Sequence, residues 1–249
     1  MNTYLYNGHV VTASNKDEVL NQNKIVARDR EHLEELIKDA IEKYGNNCDL
    51  NFIDVSNVTN MICLFELSKF NGDISNWNVS NVRNMRGMFR YSYFDGDISS
   101  WNVSNVKDMS SMFIKSNFNG DISKWNVSNV KYMIQMFAYS EFNGDISKWD
   151  VSKVESMMGM FEHSIFNGDI SKWNVSNVKN MASMFYKSKF NCDINSWNVD
   201  NVWNMGDMFK GSDFDKDLSR WIPILKKKNM NFEDLGLEIK NNTWSDIEV

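Results

Sequence analysis

Hydrophobic positions return along this chain at one fixed interval. Tryptophan stands at Trp77, Trp101, Trp125, Trp149, Trp173, Trp197 and Trp221, a spacing of 24 residues without a slip. Phenylalanine keeps the same interval in two files, Phe65 to Phe209 and Phe70 to Phe214, and methionine in another, Met61 to Met205. A period of this length marks an array whose units bury their apolar faces only against their neighbours.

The unit from Phe70 to Tyr93 holds three patterns in turn. Asn71-Gly72-Asp73 is turn chemistry, because Asn and Gly tolerate positive φ and Asp bonds its own following backbone. Trp77-Asn78-Val79 alternates apolar and polar, the period of a strand with one buried face. Ser80 can cap a helix, and Val82, Met85, Met88 and Phe89 then share one helical face. The expected fold class is therefore α/β, a solenoid with one short parallel strand and one short helix per 24-residue turn. Seven such strands at ~4.8 Å spacing make a sheet about 30 Å long. Trp, Phe and Met, at about 1.5–3 kcal/mol each, supply a core without crosslinks.

The ends depart from the pattern and predict caps. Over residues 1–45, Asn7-Gly8 between apolar pairs signals a hairpin, and Lys24-Ile25-Val26-Ala27 reads as a strand. Residues 30–44 read as a helix, with Asp29 as N-cap, Gly45 as its stop, and Leu33, Leu36, Ile37, Ala40, Ile41 and Tyr44 on one face. Residues 46–221 form the solenoid of about seven turns. In 222–249 Pro223 and Lys226 replace the repeat valines, leaving a cap and tail with Ile224, Leu225, Met230, Phe232, Leu235 and Leu237 to cover the last turn.

Composition narrows the class. A chain of 249 residues with 42% hydrophobic and 24% charged residues is core-forming, which excludes a wholly disordered polymer. With 27 basic and 33 acidic residues the net charge is −6, which argues against a nucleic-acid partner. No signal-like segment follows Met1 and no run approaches the ~20 apolar residues of a membrane span, so the sequence as given reads as cytoplasmic. Cys48, Cys63 and Cys192 read as free thiols. Cys48 and Cys192 share a file but stand roughly 29 Å apart at strand spacing, too far to bridge.

Catalytic signatures do not occur: phosphate loop, dinucleotide glycines, zinc-helix motif and nucleophile elbow are all missing. His9, His32 and His163 are scattered. The expectation is a non-enzyme without cofactor or metal. The polar files are more informative. Asp49, Asp73, Asp97, Asp121, Asp145, Asp169, Asp193 and Asp217 stack at one position. Neighbours repel by about 1 kcal/mol in water. Backbone amides of the turn are the expected compensation, and a row of calcium ions is the alternative. Ser68 and its copies to Ser212 read as hydroxyls bonding backbone at a corner.

With Trp77 and Val79 pointing inward, positions 76, 78 and 80 face outward on the open, concave sheet. One outward file is Asn78, Asn102, Asn126, Asp150, Asn174 and Asn198. The other carries Lys124, Lys148 and Lys172 at its centre. Stacked lysines are mildly unfavourable, which makes these three the preferred binding residues, on a polar groove suited to a protein or glycan partner.

The pattern Ile74-x-x-Trp77-x-Val79-x-x-Val82-x-x-Met85-x-x-Met88-Phe89-x-x-Ser92 resembles the short leucine-rich repeat of the BspA-like surface proteins. It is most similar to the tryptophan- and methionine-bearing version, mostly of unknown function, and the resemblance covers about residues 46–221. It implies a right-handed leucine-rich-repeat-like solenoid in binding or adhesion, at the cell surface or secreted once a leader is removed. The resulting expectation is a monomeric interaction module without a membrane span; a structural repeat stabilised by its Asp ladder or calcium is the alternative.

Overall fold

Around the methionine file, every unit is bonded to the units on both sides. Met85, Gly87, Phe89 and Tyr91 donate their N–H groups to the carbonyls of Asp108, Ser110, Met112 and Ile114, at 2.8–3.0 Å. The carbonyls of Asn84, Arg86, Met88 and Arg90 accept from Met61, Cys63, Phe65 and Leu67 of the preceding unit. Parallel bridges join Asn60, Asn84, Asp108, Tyr132, Ser156, Asn180 and Asn204 in file. These contacts belong to a computed structural model that describes residues 2–6, 9–13 and 24–237.

The helix expected over residues 80–89 does not form. Met88 donates to Met85, Arg90 to Gly87 and Ser92 to Phe89, giving consecutive four-residue turns. Gly87 and Tyr91, third in their turns, have φ of 63° and 54°, the sign a type II turn requires there. The apolar spacing of three, three and one suits this chain of turns as well as it suits a helix. Bonding to the next unit then removes the N–H groups that helical pairing would need.

The expected strand at Trp77–Val79 is likewise not the ladder. Trp77 donates to Ile74 and Val82 to Val79, so two turns flank this segment. The side of each unit hydrogen-bonded to both neighbours is the methionine segment. Positions 76 and 80 consequently lie within these turns and position 78 between them, rather than on a sheet.

Inside the array identical side chains lie over one another. Trp77 and Trp101 stack at 6.5 Å, Phe89 and Phe113 at 5.7 Å, and Phe94 and Phe118 at 6.4 Å. Met85, Met88, Val79 and Val82 are buried with them in one continuous core. The glycine of Asn-Gly does not serve a positive φ, and Cys48, Cys192 and Lys216 take its place in other units. Gly96, Gly120, Gly144 and Gly168 have ordinary φ, but a Cβ on each would lie 2.8–2.9 Å from the ring of the Phe two residues earlier.

At the amino end β1 (Asn2–Tyr6) pairs antiparallel with β2 (His9–Ala13), Tyr6 opposite His9. Residues Asn7 and Gly8 themselves lie outside the described residues. The strand β3 (Ile25–Val26) pairs in parallel with β4 (Ile53–Asp54) of the first unit. Helix α1 (Arg30–Tyr44) starts where Asp29 accepts from the His32 N–H and stops where the Gly45 N–H reaches the Ile41 carbonyl. It buries Leu33, Ile37 and Ala40, while Tyr44, expected on that face, is exposed.

At the carboxyl end a 3-10 turn (Ser219–Trp221) leads into α2 (Ile222–Lys227), where Pro223 occupies the first turn. Proline is tolerated there because the missing N–H has no helical partner. Asp207 and Phe209 donate to the carbonyls of Asp234 and Leu235, so residues 231–237 take the place of the next unit. Leu225 and Leu235 are buried over it. The tail beyond 237 lies outside the described residues.

Candidate functional site

Each polar file does a separate structural task. Asp73 accepts the Ser75 N–H at 2.9 Å through its own Oδ1, and Asp97, Asp121, Asp145, Asp169 and Asp193 repeat this with the residue two places on. These bonds stabilise the charged carboxylate. The hydroxyl and then the amide of Ser123 hold Asp121 below the usual carboxylate range, those of Ser147 do so for Asp145, and for Asp169 the Ser171 amide leads. Turn amides are thus present to compensate the stacked charges. Among the described residues no group of three or more His, Cys, Asp or Glu side chains could hold a metal ion.

The second file, expected to face a partner, closes turns of the same kind. Asn78, Asn102, Asn126, Asn174 and Asn198 accept through Oδ1 from the N–H two residues on, at 3.0–3.2 Å. Asp150 does the same with Ser152, whose hydroxyl and amide lower its pKa. Their side-chain oxygens are therefore committed to the backbone.

Two further amide files carry inter-unit bonds and escaped the sequence reading. Asn71, Asp95, Asn119, Asn143, Asn167 and Asn191 each accept, through a side-chain oxygen, the N–H of the same position one unit on. Asn81, Asn105, Asn129, Asn177 and Asn201 each donate Nδ2 to the serine carbonyl of the preceding unit, at 2.6–2.8 Å. The signal was the same 24-residue recurrence; nothing in one unit told which amide reached across. Ser92 Oγ, at a buried corner, accepts from the Phe94 N–H, as its copies do.

The lysine file has a different character. Lys124, Lys148 and Lys172 are brought into line and exposed, each within electrostatic reach of the aspartate three places before it. No ion pair closes on them among the described residues. By contrast, Lys131 and Lys179 are both engaged by Glu155, at 3.2 and 2.8 Å, which depresses the glutamate pKa.

The remaining chemistry does not converge. His32 Nδ1 accepts from Arg28, and His163 stacks on Tyr139 at 4.4 Å. All three cysteines are free, and burial raises each of their pKa values, which disfavours the thiolate. No described helix is long and apolar enough to cross a membrane.

A family model described as "Mycoplasma protein of unknown function, DUF285" matches the chain in three overlapping stretches, residues 32–141, 93–164 and 135–235. No curated protein and no solved structure matches it.

Proposed function

From the premise that this chain belongs to the DUF285 family, a repeat family of unknown function, we propose that it is a non-enzymatic interaction module, a leucine-rich-repeat-like solenoid of the BspA-like kind that binds a protein or glycan partner. The 24-residue stacking of Trp, Phe and Met supports the solenoid reading. One observation carries the binding surface. In the outward segment between residues 70 and 82 and its copies, most Asn and Asp side chains are engaged by the fold, whereas Lys124, Lys148 and Lys172 project without an ion partner among the described residues. Three ammonium groups in line suit carboxylate or sulfate groups on the partner.

The test is capture of partners by the intact chain beside a Lys124→Glu/Lys148→Glu/Lys172→Glu variant. Partners lost by the variant, at unchanged melting temperature, support the file as the contact. Partners retained at full affinity remove it from recognition.

A further inference from the structure

The exposed apolar side chains of this molecule are not scattered. Of the seven large ones exposed between residues 46 and 237, five lie in two adjacent files at one corner of the stack: Leu67, Tyr91 and Tyr139 in one, Tyr93 and Ile165 in the other. Leu67 is 71% exposed and Tyr93 57%. The other two, Tyr132 and Trp203, stand at neighbouring positions elsewhere in the unit, where most outward residues are polar.

The backbone makes this corner stranger. The first file is the left-handed position of the third turn, with φ of 57° at Leu67, 54° at Tyr91, 55° at Tyr139 and 51° at Lys187. Glycine adopts that conformation without strain, and a branched or bulky residue does not. Yet glycine occupies the file only at Gly211, in the last unit. In the other left-handed file, four residues earlier, Cys63, Gly87, Ser111, Gly159 and Ser183 are small, and only Gln135 and Asp207 are polar residues of larger size. Large side chains are thus held at the corner against the backbone's preference, although they bury little. Strain kept where the side chains stay largely exposed, with only Tyr139 and His163 stacked on each other, points to use of the surface.

Charge identifies the use. Lys69, Lys115 and Lys187 share the two files and are exposed, with no ion pair among the described residues. Lys189 pairs with Asp213 at 3.1 Å, and Glu141 is the remaining acid. The Lys187 ammonium lies over the Tyr186 ring at 5.3 Å. Leu and Ile tips, tyrosine rings and long lysines along one ridge are the composition of an interfacial membrane contact. Apolar tips enter the acyl boundary, tyrosines sit at headgroup depth and ammonium groups meet anionic headgroups. A strip two files wide also gives a folded partner little area to cover, whereas a bilayer surface needs only a line of anchors.

We propose that this corner, from Leu67 to Lys189, rests on an anionic lipid surface. The contact is peripheral and independent of the Lys124, Lys148 and Lys172 file.

The experiment is sedimentation of the full chain with vesicles of equal parts phosphatidylserine and phosphatidylcholine, and with phosphatidylcholine alone. Binding is expected to the mixed vesicles, weakened by salt, and to be much weaker with the neutral ones. Each lysine near the surface is worth a factor of about five, so Lys69→Glu/Lys115→Glu/Lys187→Glu lowers partitioning at least roughly a hundredfold. Lys38→Glu/Lys43→Glu/Lys107→Glu makes the same change in net charge elsewhere and is expected to retain binding within severalfold. Leu67→Ser with Ile165→Ser, both exposed, is expected to abolish what binding survives high salt. Unchanged melting of each variant shows that the stack persists. Absence of binding to the mixed vesicles overturns the proposal, as does an equal loss in both lysine triples. Vesicle binding lost while partner capture through Lys124, Lys148 and Lys172 persists separates this surface from the interaction file. Failure of that capture with vesicle binding intact condemns only the file.

Discussion

The indole N–H of Trp101 reaches back into the preceding unit and donates to the carbonyl of Ile74 at 3.2 Å. Trp77, Trp125, Trp149, Trp173 and Trp197 repeat the bond with Leu50, Ile98, Ile122, Ile146 and Ile170. Trp221 does not: its Nε1 is buried without a partner among the described residues, where the chain leaves the repeat for the 3-10 turn and α2. Each tryptophan is therefore both a stacked ring and a hydrogen-bonded staple between units, except the last.

That difference can be measured. Trp125→Phe removes the indole bond to the Ile98 carbonyl, which keeps only the Trp101 N–H, a loss of about 0.5–1.5 kcal/mol beyond the lost ring area. Trp221→Phe loses ring area and no such bond. Urea unfolding is expected to place Trp125→Phe below Trp221→Phe by that margin; equal losses would show that the indole bonds contribute nothing net.

Two glycine positions answer to different physics. Gly144→Ala places a Cβ 2.9 Å from the Phe142 ring although its φ is ordinary, and is expected to destabilise by about 1–3 kcal/mol through overpacking. Ser183 has φ of 56°, and Ser183→Gly relieves left-handed strain of about 1–2 kcal/mol against an unfolded-state entropy cost of about 0.4–1. A small rise in melting temperature is expected, and a fall would contradict the strain.

Acid should weaken the stack. Asp121, Asp145 and Asp169 have folded-state pKa values below their unfolded ones, for the serine bonds described above. Groups depressed in this way stabilise fully above the unfolded value near ~3.9, and the contribution is lost as pH falls through the folded one. The wild-type melting temperature is expected to fall below about pH 4, and Asp121→Asn/Asp145→Asn/Asp169→Asn to flatten that limb. An identical acid limb in the variant would show that these carboxylates are not its cause.

Calcium offers a separate check on the aspartate file. Each Asp accepts a backbone N–H with one oxygen and faces no cluster of further ligands among the described residues. A calcium ion takes six to eight oxygens. Melting is expected to be unaffected by chelator or added calcium; a calcium-dependent rise of several degrees would put ions in the row.

How much of this was legible in the chain follows from what each residue's partner is. Trp77, Phe70, Phe89, Met85 and Val79 could be placed inside because one fixed period demands one fixed environment, and burial is written in residue type. Asp29, Gly45 and the α1 face between them were legible too, since a helix end is satisfied by residues three or four places away. Local turns at Asp73 followed from the same short range.

Tertiary structure decided whatever depended on a residue one unit away. The spacing Val82, Met85, Met88, Phe89 admits helix or consecutive turns, and only the carbonyls of Asp108 and Ser110, one period on, choose the turns. Asn78 and Asn81 look alike in the chain. One bonds its own unit and the other crosses to Ser56, because only the stack fixes which carbonyl lies within 2.8 Å. The sequence by itself determined the period and the buried set, because both are repeated in residue identity. The bonding direction of each backbone amide was left to the stacked neighbour, since hydrogen bonds go to the nearest well-aligned acceptor and sequence does not state distance.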